Sequence, residues 1–84
     1  MPAKNSHLVI SALGQDRPGI VNQLSKAIFE LDCNITDSRM TVLGGEFAVM
    51  LLVSGNWSTV AKLQSALPAL EKSLGMTIVS KQTE

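Results

Sequence analysis

Only one stretch of the sequence, Gly14-Gln15-Asp16-Arg17-Pro18-Gly19-Ile20, combines residue types and spacing that offer binding chemistry. It divides an apolar run of period two, Leu8 to Leu13, from a pattern of helical period that begins near Ile20. A strand that feeds a helix through such a loop presents unpaired backbone N–H groups and the positive end of a helix dipole. That combination suits a carboxylate or a phosphate. Asp16 is a good helix N-cap, because its carboxylate can accept from the N–H groups of the first turn. Pro18 fits that turn, where no backbone donor is required of it. Gly19 has no Cβ and lets another molecule approach the main chain. Asp, Pro and Gly also make ordinary strand-to-helix turns, so the loop alone does not establish a ligand site.

Little else in the inventory could do chemistry. His7 has no acidic or nucleophilic neighbour in sequence and reads as a strand residue rather than a catalytic base. With one His and one Cys the chain holds no metal-ligand cluster, and no metal or cofactor is expected. Cys33, the only thiol, cannot form an internal disulfide and suits a reducing cytoplasm. Seven basic residues balance seven acidic ones, which argues against direct binding of nucleic acid. No apolar run is long enough to span a membrane, and Met1-Pro2-Ala3-Lys4-Asn5 has none of the apolar core of a signal peptide.

The elements that must position the loop follow in order. Residues 1–5 read as a disordered lead-in and 6–82 as one domain. His7 to Leu13 is a strand with Leu8, Ile10 and Ala12 on one face. A helix from Pro18 to Leu31 buries Ile20, Leu24, Ala27, Ile28 and Leu31. Asn34 is suited to a turn or left-handed conformation after it. Ile35 to Leu43 is a second strand whose apolar positions change parity, which predicts a bulge and an edge position. Its charges, Asp37 and Arg39, read as guards of that edge. Gly44-Gly45 is a hairpin turn. The third strand, Glu46 to Ser54, is apolar on both faces, so a second subunit or domain should cover the side that the helices leave open. A second helix begins after Gly55, capped by Asn56 or Ser58, with Trp57 packed at its start and a break or kink near Leu67, caused by Pro68. Gly75 stops it, and Met76 to Lys81 is the last strand.

Strand, helix, strand, strand, helix, strand is the α+β, ferredoxin-like βαββαβ sandwich: a four-stranded antiparallel sheet with two helices on one face. That fold hosts many functions and names none.

The residues carry a further signal. Leu13-Gly14-x-Asp16-Arg17-Pro18-Gly19-Ile20-Val21, then Asn34-Ile35, then Leu43-Gly44-Gly45-Glu46-Phe47 resembles the ACT domain family of amino-acid-sensing regulatory modules. The resemblance runs from about Leu8 to Lys81 and includes Ser54-Gly55-x-Trp57 and Leu67-Pro68. It implies a non-enzymatic domain that pairs with a copy of itself or with a second ACT domain and holds a small amino acid between the two. Carried over position by position, the implied contacts are Asp16, Arg17, Pro18, Gly19 and Ile20 with Asn34 and Ile35. The N–H groups at Gly19 and Ile20 would take the ligand carboxylate, Asp16 its ammonium group if it is not consumed as the cap, and Asn34 a donor–acceptor pair.

More narrowly, the run Cys33 to Phe47 is similar to tandem-domain transcriptional repressors of the family. That similarity implies action through a DNA-binding activator protein, with glycine as the first ligand to test. This chain holds a single ACT domain where those repressors hold two.

Rival readings are weaker. An acyl-phosphate hydrolase on this fold would need an Arg and an Asn, and Arg17 with Asn34 supplies both types, but on a loop too short to cradle a phosphate. An RNA-binding relative lacks its exposed aromatics, and a metallochaperone lacks its second cysteine. A pairing module with no ligand is the serious alternative.

Overall fold

The structure is a computed structural model and describes residues 6–15 and 17–83. The expected lead-in, residues 1–5, and Asp16 lie outside the described residues. The elements are β1 (Ser6–Gln15), α1 (Ile20–Glu30), β2 (Asn34–Leu43), β3 (Glu46–Gly55), α2 (Trp57–Leu74) and β4 (Thr77–Thr83). They form one antiparallel sheet in the order β2-β3-β1-β4, the ferredoxin-like arrangement.

Period-two patterning decides the sheet. Leu8, Ile10 and Ala12 of β1 and Phe47, Val49, Leu51 and Val53 of β3 are buried on the face that α1 and α2 cover. Ile20, Leu24 and Ile28 of α1 and Val60, Leu63, Leu67 and Leu74 of α2 complete that core from above. The other strand positions face away from the helices. Met50 is 52% exposed there, Leu13 48% and Val79 61%.

The turns follow their residues. Gly44 and Gly45 both have positive φ, at 58° and 81°, the combination that a tight hairpin between twisted strands needs. The parity change in β2 is a register shift between Ile35 and Asp37, and β2 is an edge strand, as its sequence predicts. The Thr36 hydroxyl donates to the Leu52 carbonyl at 3.0 Å within that irregularity. Gly75, at φ 65°, ends α2.

Four expectations are corrected. First, α1 starts at Ile20 with Gly19 at the N-cap position, two residues later than the expected start at Pro18. Second, the left-handed residue after α1 is Asp32, at φ 61°, whereas Asn34 already belongs to β2. Third, α2 runs unbroken through Pro68. Pro68 is exposed, so water can satisfy the carbonyl that its missing N–H leaves unpaired. Fourth, Trp57 is 73% exposed rather than packed.

Candidate functional site

β1 and β2 run one way and β3 and β4 the other, because every pairing in the sheet is antiparallel. The β1–α1 loop therefore shares one end of the domain with the Gly44-Gly45 hairpin and the start of β4. Gln15 pairs with Glu46 and Leu13 with Thr77 at that end. Asn34 lies at the other end, opposite Ser54, where β1 begins. The length of α1, about 16 Å at 1.5 Å per residue, stands between them.

The predicted site residues thus fall into two groups that one chain does not bring together. In the loop, Arg17, Pro18 and Gly19 are exposed, and Ile20 is buried in the core as the first residue of α1. At the far end, Asn34 is exposed, while Ile35 is half-buried against the core and faces Val53. This separation also removes the acyl-phosphate hydrolase reading, since Arg17 and Asn34 cannot meet on one phosphate within a chain.

Among the described residues the loop is shaped by backbone, with no side-chain cap. Gly19 has φ 78° and ψ 1°, a left-handed conformation, and no side-chain cap bond is made there. A Cβ at Gly19 would meet nothing within 4 Å, so the glycine is required by its φ, not by crowding. The Ile20 N–H donates to the Arg17 carbonyl at 3.4 Å, a long and weak bond. The Gln23 N–H donates to the Gly19 carbonyl at 3.0 Å and begins the helical ladder.

Arg17 has a structural occupation that its local sequence does not announce. Its guanidinium donates to the Leu74 carbonyl at the C-terminal end of α2. A cation there complements both an orphan carbonyl and the negative end of the helix dipole. The partners are 57 residues apart, so no local pattern could reveal the contact.

Two more residues at this end were missed for the same reason. Gly14 has no room for a side chain, because a Cβ would lie 2.9 Å from Cγ of Met76. The Glu71 carboxylate accepts from the Ile78 N–H at 2.7 Å and ties α2 to the edge strand β4. Among the described residues no group of His, Cys, Asp and Glu could hold a metal ion, and no helix is long and apolar enough to cross a membrane.

A family model for the ACT domain matches residues 6–81. The chain belongs to the ACT domain family. It is 46% identical over 77 residues to the glycine cleavage system transcriptional repressor of Escherichia coli (strain K12), a match covering 92% of this chain and 40% of the repressor. The crystal structure of a protein designated a glycine cleavage system transcriptional repressor superposes with TM-score 0.91 at 38% identity, over 95% of this chain and 47% of that one. An ACT domain protein from Streptococcus pneumoniae superposes with TM-score 0.81 at 31% identity, over 92% of this chain and 89% of that one. The chain therefore spans less than half the length of the repressors it matches, and nearly the whole length of a one-domain ACT protein.

Proposed function

We propose that this ACT domain is a non-enzymatic regulatory module that senses a small amino acid together with a second ACT domain. The observation that carries the reading is the start of α1, an exposed left-handed glycine with no side-chain cap among the described residues. A ligand carboxylate at that dipole end would take hydrogen bonds that no cap side chain at Gly19 provides. Asn34 and Ile35 lie at the far end of their own chain, so in this reading they contact the ligand from the paired domain. The similarity to repressors makes glycine the first candidate and a cytoplasmic DNA-binding activator protein the natural downstream partner. The balanced charge of the chain supports contact with a protein rather than with DNA itself. Ligand binding would alter that contact only through a different affinity for the free and partner-bound states.

Calorimetric titration with glycine, serine and a panel of other amino acids tests the reading. Saturable binding that is lost in Gly19→Val is the expected result. Absence of heat at millimolar ligand would leave a pairing module with no metabolite. One observation favours that second reading: the Arg17 guanidinium is already held by the Leu74 carbonyl and would have to leave it to reach a ligand.

A further inference from the structure

A β-bulge decides which side of the sheet two charges of opposite sign occupy. Ile35 of β2 lies opposite Val53 and packs against the core under the helices. Strict alternation from there would aim Asp37 and Arg39 at the helix side of the sheet. The register shift between Ile35 and Asp37 inserts Thr36 as an extra residue. Asp37 therefore lies opposite Leu52 and Arg39 opposite Met50, on the face away from the helices. The Thr36 hydroxyl fastens the bulge by donating to the Leu52 carbonyl at 3.0 Å.

Beside the two charges is an apolar floor. Val9 of β1 lies opposite Leu52, so Asp37, Leu52 and Val9 form one row across the sheet, and Arg39 and Met50 begin the next. Val9 and Leu52 are half-buried, and Met50 is exposed. With Ser38 and Leu51, these residues line a depression of about 230 Å³. At about 30 Å³ for a water molecule, it has room for about eight non-hydrogen atoms.

We infer that this depression binds a small zwitterion with an apolar tail, the class that includes the aliphatic amino acids, with Arg39 taking its carboxylate and Asp37 its ammonium group. The depression shares no residue with the β1–α1 loop, so neither site rests on the other.

Charge and size select that class. Asp37 and Arg39 stand two residues apart on one strand, about 6.7 Å between Cα atoms, and a carboxylate and an ammonium group on one carbon can meet both. The Ser38 N–H donates to one Asp37 oxygen at 2.8 Å, which holds the carboxylate at the strand and leaves its other oxygen for a donor. An anion alone would be repelled by Asp37, and a cation alone by Arg39. An uncharged apolar molecule would take water from both charges and give neither a partner. Exposed ion pairs contribute little by themselves. Most of the affinity must therefore come from a tail settled on Val9, Met50 and Leu52. Glycine, which has no tail, is the weak ligand here.

Amide NMR of the isotope-labelled protein titrated with free leucine tests the inference, with glycine, isoamylamine and isocaproate as comparisons. Isoamylamine is leucine without its carboxylate, and isocaproate is leucine without its amino group. Leucine should give saturable shifts at Asp37, Ser38, Arg39, Met50 and Leu52, and each comparison should bind at least about tenfold more weakly. Asp37→Asn and Arg39→Gln should each weaken leucine by a similar factor. Both positions are exposed, and asparagine keeps an oxygen for the Ser38 N–H. The amide spectrum itself shows whether each variant is folded. Shifts at Gly19 and Ile20 report the loop separately, so either site can fail while the other stands. No shift at the amides of the depression with millimolar leucine, a response to glycine as strong as to leucine, or binding that ignores both substitutions would overturn the site. Asp37 and Arg39 would then be guards of the β2 edge and nothing more.

Discussion

The two helices of this domain begin in opposite ways. Asn56 caps α2 from extended backbone, with its side-chain oxygen accepting from the Thr59 N–H at 2.8 Å. At Gly19 the chain enters α1 through a left-handed glycine that makes no side-chain cap bond. The same fold closes one dipole end with its own side chain, while among the described residues no side chain caps the other. A helix whose packing is secure does not need every cap, since tertiary burial supplies most of its stability. Ile20, Leu24 and Ile28 provide that burial for α1.

The comparison is broken most strongly at Gly19. A β-branched residue there must hold a left-handed φ, so Gly19→Val should cost about 2 kcal/mol in urea unfolding and abolish the amino-acid response. Asn56→Ala should cost about 1 kcal/mol, the worth of an ordinary cap, and leave the response intact. A smaller effect is expected at Arg17. Arg17→Ala removes an exposed cation from the α2 C-terminus and should cost about 0.5 kcal/mol. If the Leu74 carbonyl competes with ligand for the guanidinium, Arg17→Ala also changes ligand affinity, which calorimetry would read directly. Unchanged affinity would make Arg17 purely a tether.

Legibility divides along the same line between local and distant causes. The faces of β1 and β3, the Gly44-Gly45 hairpin, the β2 irregularity and the Gly75 stop are readable, and the α2 cap is narrowed to Asn56 or Ser58, because each is set by residues next to one another. The start of α1 was read too early, since Asp16 and Pro18 satisfy the rules for a first turn that the chain makes only at Ile20. Pro68 allows a break or a kink by local rules, and α2 is not broken there because the carbonyl left unpaired falls on the wet side of the helix. Trp57 was given a packed place on size alone, yet it stands in solvent. The candidate site was legible as a list of residues and not as an arrangement. Nothing local says that Asn34 lies a helix length away from Gly19, or that Arg17 reaches Leu74. Both facts are consequences of topology.

An amide NMR titration of the isotope-labelled protein with glycine and other amino acids compares the two helix starts in one experiment. Saturable shifts are expected at Gly19, Ile20 and Val21, with Asn34 and Ile35 responding in the paired state, and no response from Asn56 to Thr59. Equal shifts at both helix starts, or none at α1 with millimolar ligand, would contradict this expectation.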